Sequence, residues 1–296
     1  MLSHMLKLML LIVLAGALPA GEALPPSVSP GPTEPAPAVT SPNATISVPV
    51  STAPARIVME MPTARPTLKR ETLGDYTLAW SDEFNGDTLD TKLWECRTDS
   101  KYWSIGKEAN VTVSNGFLHV ALKKEKAGKL DYTAGGIVSK RNFRYGFYEA
   151  SVKCPPGKGW HTTFALTAYK SEVTGNRQEI DVFENDSIEP KAFNIALQQW
   201  KPTHRVFDSK KGVKAPGDLS QDFHVWGCEF TPQKVRYFVD GEQVASYDAK
   251  EIIHDDQSIW IYCFAAPLQR TLHVEDDKLP AEVQIDWVRF YEKPKQ

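Results

Sequence analysis

The densest chemistry in this 296-residue chain lies in Gln178-Glu179-Ile180-Asp181-Val182-Phe183-Glu184-Asn185-Asp186. In extended backbone successive side chains alternate, so Glu179 and Asp181 share one face while Ile180 and Val182 take the other. Strict alternation would drive Glu184 into the core, where an unpaired carboxylate is costly. A β-bulge near Val182-Phe183 adds one residue and returns Glu184 to the acidic face. Three carboxyl groups on one face raise one another's pKa by like-charge repulsion. Glycoside hydrolysis has a use for them: a retaining enzyme needs two carboxyl groups about 5–5.5 Å apart, one to attack the anomeric carbon and one to protonate the leaving oxygen. A third between them can orient the nucleophile and keep the acid protonated. The same spacing fits a calcium site or a solvated acidic edge. The interleaved apolar residues weaken the edge, and an EF-hand is excluded because its glycine and ligand spacing are absent.

Something must hold these groups in place, and from Tyr76 onward the pattern is one of short strands. Asn115-Gly116 separates VTV from FLHVAL, and Asp240-Gly241 separates VRYFV from EQVASY, both as hairpin turns do. Further strands are predicted at 146–154, 179–184, 223–230, 259–265 and 283–291, all rich in Val, Ile, Tyr, Phe and Trp. A helical turn is expected only at 249–254. This points to an all-β sandwich or barrel. In 146–154, Tyr148, Ala150, Val152 and Cys154 form a core face, and the opposite half-polar face, with Phe147, Glu149, Ser151 and Lys153, is expected to line a groove.

The segment before this domain is of another kind. Residues 1–23 have a short polar start, an apolar run and a small-residue exit, the pattern of a secretory signal peptide, with an uncleaved anchor as the alternative. Residues 24–68 hold eleven of the 21 prolines and no aromatic residue, so they are expected to be a disordered, partly polyproline linker. The working domain is 69–296, with all eight Trp. A secreted protein, extracellular or periplasmic, with no membrane span after signal cleavage, is expected. Lys+Arg 34 against Asp+Glu 37 leaves net charge -3, which gives a nucleic-acid partner no electrostatic support.

Glu179-Ile180-Asp181-Val182-Phe183-Glu184 resembles the bulged E-x-D-x-x-E signature of glycoside hydrolase family 16, of the type found in laminarinases, agarases and carrageenases. The likeness spans about 76–292. Trp80-Ser81-Asp82-Glu83-Phe84-Asn85-Gly86 resembles the family's opening strand, and Ala134-Gly135-Gly136-Ile137-Val138-Ser139 and Tyr145-Gly146-Phe147-Tyr148-Glu149 resemble the strands before the cleft. Phe223-His224-Val225-Trp226-Gly227 through Gly241 resembles the convex-side hairpin, and Ile285-Asp286-Trp287-Val288-Arg289-Phe290-Tyr291 the closing strand. The resemblance implies a two-sheet antiparallel jelly roll of concanavalin A-like type with a concave cleft. It implies Glu179 as nucleophile, Glu184 as acid/base and Asp181 as the assisting carboxyl. It implies no catalytic cofactor, and it points to a structural calcium with Glu83 and Asp286 as candidate ligands. Two strands depart from the laminarinase pattern: G-x-W-P-A-F-W is here Gly159-Trp160-His161-Thr162-Thr163-Phe164-Ala165, and L-N-L-A-V-G-G is here Tyr262-Cys263-Phe264-Ala265-Ala266-Pro267.

Sugar rings stack on aromatic faces. Trp160, at the family position, and Trp103 and Trp200, in loop-like contexts, are the candidate platforms, whereas Trp80, Trp94, Trp226 and Trp287 are expected in the core. His161, beside Trp160, and His204 are candidates to bind hydroxyls or sulfate. Cys96, Cys154, Cys228 and Cys263 allow three disulfide pairings, or none. Asn43, Asn110 and Asn185 begin glycosylation sequons, of which Asn185 would crowd the cleft.

The reading is a secreted, monomeric, retaining endo-glycosidase of a β-linked polysaccharide, with β-1,3-glucan placed first and an agar- or carrageenan-type galactan second. A wall-remodelling transglycosylase uses the same residues. A non-catalytic carbohydrate-binding jelly roll would have lost one of the two glutamates, and both are present.

Overall fold

The computed structural model describes residues 73–168, 177–200, 205–252, 254–266 and 273–294. The chain divides into two units, Met1–Val58 and Met59–Gln296, and every described residue belongs to the second. The expected signal peptide (1–23), linker (24–68) and His204 lie outside the described residues.

The described residues form seventeen strands in chain order. They are β1 (Thr77–Asp82), β2 (Trp94–Cys96), β3 (Ser100–Lys101), β4 (Ser104–Gly106), β5 (Val111–Ser114), β6 (Phe117–Leu122), β7 (Tyr132–Ser139), β8 (Gly146–Lys153) and β9 (Trp160–Ala168). Then come β10 (Arg177–Asp186), β11 (Ala192–Trp200), β12 (Arg205–Lys214), β13 (His224–Phe230), β14 (Lys234–Val239), β15 (Glu242–Asp248), β16 (Ser258–Ala265) and β17 (Ala281–Glu292). One sheet runs β15-β14-β13-β8-β17-β6-β5 with β1 beside β17, and the other runs β12-β11-β10-β9-β16-β7-β4-β3 with β2 beside β7. Every pairing is antiparallel except β4 with β7, which is parallel. This is an all-β sandwich, as the strand pattern predicts, of the jelly-roll form that the resemblance implied.

Local chemistry explains the hairpins. Asn115 and Gly116 have φ of 53° and 78°, and Asp240 and Gly241 have 49° and 85°. Two consecutive positive φ values make the type I′ turn, whose twist matches the flanking strands. Asp240 is doubly used, since its carboxylate also accepts from the Val225 amide and faces His224 Nδ1, each at 2.8 Å. The helical turn expected at 249–254 does not form; 250–251 make a tight turn instead.

The bulge in β10 is present. Asp181 lies opposite Ala165 and Phe183 opposite Phe164 on β9, while on β11 Asp181 pairs with Ala196 and Glu184 with Asn194. Against both neighbours Val182 and Phe183 occupy the space of one residue, and both are buried. Phe183 stacks on Trp226 of the opposite sheet, with centroids 4.1 Å apart and planes 15° apart.

One expectation is corrected. Tyr148, Ala150, Val152 and Cys154 do face the core, but on the other face of β8 Phe147, Glu149 and Ser151 are buried rather than lining a groove. β8 lies in the sheet opposite the acidic strand. There Phe147 packs with Val225, Trp287 and Tyr291, joined by Leu73 and Tyr76, in a second apolar cluster. Trp287 is thus buried outside the main core. Glu149 is buried beside them, and that burial raises its pKa to about 7 against the opposing pull of Tyr291 and Arg289. Polar alternation marks a face that is not the main core, without saying what covers it.

Phe183→Ala removes the ring that fixes the bulge and should cost about 3–5 kcal/mol in denaturant unfolding. A loss below about 1 kcal/mol would show that the stack does not hold the strand.

Candidate active site

The outer face of the nine-stranded sheet carries the acidic residues. Glu179 and Asp181 come from the first half of β10, and the bulge brings Glu184 and Asp186 to the same side. Glu179 opens onto a cleft of about 530 Å³ whose wall includes Arg97, Lys101, Arg177, Trp260 and Tyr262. The alternation of β16 puts Trp260, Tyr262 and Phe264 on the side of Arg97, with Trp260 half-buried and Tyr262 and Phe264 buried, while Ile259, Ile261 and Cys263 point into the core.

Each carboxyl group has its own partner. Arg177 donates to Glu179 Oε2 at 2.7 Å and lies 4.7 Å from the Trp200 ring centroid. Gln198 Nε2, one strand over, donates to Asp181 Oδ2 at 2.6 Å. Glu184 Oε1 is 3.1 Å from His161 Nε2, and His161 Nδ1 is 2.8 Å from Asp186 Oδ1. Burial, with the charges of Glu184 and Glu179 added, holds the Asp181 pKa well above the ordinary carboxylate range. Glu184 goes the other way: burial raises its pKa, but the hydrogen bond and charge of His161 outweigh this and lower it. Lys101 stands across from all three, its Nζ donating to the Tyr262 hydroxyl at 2.6 Å. Burial lowers its pKa, and the attraction of Glu179 opposes that.

The cations need close approach to the sheet. The Arg97 guanidinium sits 4.7, 4.4 and 5.0 Å from the centroids of Trp260, Tyr262 and Phe264, and Asp99 accepts from it twice, at 3.0 and 2.6 Å. Gly136 makes room, since a Cβ there would lie 2.7 Å from Tyr262 Cβ and 3.1 Å from Arg97 Cδ.

The aromatic candidates need correction. Trp160 is only 2% exposed, so it offers no stacking face. Its Nε1 reaches the Pro155 carbonyl at 3.4 Å and its ring fills the space above Gly157. Trp103 is half-buried and packs on the core. Trp200 stays at the edge of the site under Arg177. Sequence reasoning passed over Tyr102, which is 44% exposed at φ 54° in the turn between β3 and β4. Its hydroxyl pKa is raised by burial and then by Glu184 and Glu179, which puts it beside the acidic residues. A turn between two very short strands can send one of two adjacent aromatics inward and the other outward, and that was the available signal. Trp260 and Arg97 carried no motif of their own.

Glu83 and Asp286 do not make a calcium site as they stand. Both Glu83 oxygens accept from Arg289, at 2.9 and 2.8 Å. Among the described residues no three His, Cys, Asp or Glu side chains gather to hold a metal. The four cysteines are free thiols. Asn110 and Asn185 are buried; the Asn110 amide donates to the Thr133 hydroxyl and the Ala134 carbonyl, and the Asn185 amide to the Glu189 and Ala192 carbonyls, which leaves these two sequons without an accessible amide.

Residues 77–293 match the family model described as "Beta-porphyranase A-D, GH16 domain". The chain belongs to glycoside hydrolase family 16. This family 16 chain is 24% identical over 244 residues to a beta-glucanase of Rhodothermus marinus, covering 73% of this chain and 85% of that protein. It is 30% identical over 201 residues to the kappa-carrageenase of Pseudoalteromonas carrageenovora, covering 57% and 50%. The catalytic domain of an endo-1,3-beta-glucanase from Thermotoga petrophila RKU-1 shares the fold, with TM-score 0.62 at 21% identity over 75% of this chain and 99% of that one. Family 16 membership makes the protein a glycoside hydrolase acting on O-glycosidic bonds of a polysaccharide with retention, endo-acting, and in no need of a catalytic cofactor.

The raised Asp181 pKa has a consequence for stability. What this group contributes is fully present below the unfolded carboxyl pKa, about 3.9, and is lost as pH rises through the higher folded value. Asp181→Asn lacks that loss. It should melt higher than the unmodified protein at pH 8, with the difference closing toward pH 4, each 1 kcal/mol reading as roughly 2–4 °C. A difference that ignores pH would remove Asp181 as its source.

Proposed function

We propose a secreted endo-glycosidase that cleaves a sulfated β-galactan of red-algal type, with Glu179 as nucleophile, Glu184 as acid/base and Asp181 as the carboxyl that orients Glu179. The observation that carries the substrate is the group of cations beside Glu179: Arg97 over the Tyr262 ring, Lys101 facing the carboxyl groups, and Arg177 at the nucleophile. Guanidinium groups match the oxygens of a sulfate ester in paired hydrogen bonds, and they gain less from neutral hydroxyls. Arg97 lies over Tyr262 and Phe264, and both rings are buried, so neither offers a free face to a neutral glucan ring. The porphyranase family model and the kappa-carrageenase relative support the same choice, which puts galactan ahead of the β-1,3-glucan that the sequence placed first. The signal-peptide reading of residues 1–23 supports action outside the cell, where a polymer too large to enter would be met.

In the first step a Glu179 oxygen bonds to the anomeric carbon while Glu184 protonates the departing oxygen; in the second, Glu184 takes a proton from water as water displaces Glu179. Tyr102, exposed beside the carboxyl groups, supplies a ring for stacking.

Release of reducing ends from laminarin, agarose, porphyran and kappa-carrageenan tests the substrate, and faster cleavage of laminarin than of any galactan would reject it. Glu179→Gln should nearly abolish turnover. Glu184→Gln should lose roughly 10²–10⁴-fold on the polymer and much less on an activated aryl glycoside. Azide should rescue Glu184→Ala to a glycosyl azide of retained configuration and Glu179→Ala to the inverted one; the reverse pairing would exchange the two roles.

A further inference from the structure

His161 lies inside the site, yet the three-carboxyl chemistry makes no use of it. Its side chain is 3% exposed and sits between those of Glu184 (28%) and Asp186 (5%). Nε2 faces Glu184 at 3.1 Å, and Nδ1 faces Asp186 at 2.8 Å. A neutral imidazole has one N–H, and ionised carboxylates only accept. Both contacts are therefore satisfied when an imidazolium donates to two carboxylates, or when one protonated carboxyl donates to a neutral ring. These forms differ only in where a single proton sits along a hydrogen bond.

We infer that His161, anchored by Asp186, is the positioning residue that stores the acid proton for Glu184 and aims that carboxyl at the leaving oxygen. The inference rests on the assignment of Glu184 as acid/base. In the first half-reaction the proton crosses from Nε2 to Glu184 Oε1 and on to the glycosidic oxygen. The bond from that oxygen to the anomeric carbon breaks, and a Glu179 oxygen bonds to the carbon. The ring is left neutral, with Nδ1–H still on Asp186. In the second half-reaction the water oxygen bonds to the anomeric carbon, the bond to Glu179 breaks, and the water proton returns through Glu184 to Nε2. The cycle closes with no proton gained or lost by the protein.

The surroundings favour the stored form. Burial lowers the His161 pKa, but the hydrogen bonds to Asp186 and Glu184 outweigh it and bring it to about 9. Glu179 and Asp181 lie on the same strand as Glu184, and Lys101 from β3 and Tyr102 from the turn after it face the cluster. From β16 the register partner is the uncharged Phe264.

The test is the pH dependence of kcat/KM for the full chain on whichever of the four polymers is cleaved fastest, beside an aryl glycoside of its repeat. In the unmodified protein the alkaline limb should lie near 9. His161→Gln should move it down by about one pH unit or more and lose about 10²-fold on the polymer, with a far smaller loss on the aryl glycoside. Asp186→Asn should move the limb the same way by less. Imidazole ¹⁵N shifts of the unmodified protein should show His161 doubly protonated at pH 8, a readout that stands even if His161→Gln does not fold. An unmoved limb, equal losses on both substrates, or a neutral imidazole at pH 7 would overturn the inference. If Glu184→Gln loses polymer cleavage while the His161→Gln limb stays in place, only the inference falls. If Glu184→Gln keeps full activity, the acid/base assignment falls and the inference with it.

Discussion

Phe183 stacks on Trp226 across the sandwich, and through that contact the core determines which way Glu184 points. In an unbulged β10, Phe183 and Glu184 would exchange faces. An aromatic ring would then stand in the cleft and a carboxylate in the core. The buried stack and the cost of burying an unpaired charge therefore favour the same register. The two-for-one bulge against both β9 and β11 is the backbone's answer to that demand. Deformations of this kind belong to functional sites because only surrounding packing can hold them.

With the register set, the site becomes a problem of placing like charges close together out of water. Each acid is handled separately. Glu179 has Arg177, Asp181 has Gln198, and Glu184 has His161, which leans in turn on Asp186. The result is divergence: Asp181 is pushed toward its neutral form by burial and its neighbours, and Glu184 toward its charged form by an adjacent imidazole. Divergent environments for chemically equal groups are what acid–base division of labour requires. They also mean that the site is held at some cost to stability.

The two outward faces of the sandwich are put to different uses. On the eight-stranded sheet Phe147, Trp287 and Tyr291 are buried under a second apolar layer. On the nine-stranded sheet the outward face carries the carboxyl groups, and Arg97, Lys101 and Arg177 pack over it. Gly136 is central here, because the absence of its Cβ leaves room for Arg97 4.4 Å from the Tyr262 ring centroid. A methyl group at that position would lie 2.7 Å from Tyr262 Cβ and 3.1 Å from Arg97 Cδ, so the packing of Arg97 against β16 would have to shift.

Many of the strands, the two type I′ hairpins, the bulge and the grouping of Glu179, Asp181 and Glu184 were legible in the sequence, because each follows from local rules: alternation, turn chemistry, and the penalty for a buried charge; β2, β3, β4, β11 and β12 were not. What the sequence could not decide was how residues far apart along the chain would meet. Trp160 resembled a sugar platform and proved to be a buried anchor, while Tyr102 was passed over beside the more conspicuous Trp103. The half-polar face of β8 resembled a groove lining and proved to be covered on the other sheet. Arg97, distant from every motif, reaches the cleft only because β2 pairs with β7 and brings it over β16. The pairing of His161 with Glu184 and Asp186 likewise exists only in the register of β9 against β10. Local propensity determines which residues share a strand face, but exposure and charge pairing are properties of two surfaces brought together, and only tertiary packing brings them.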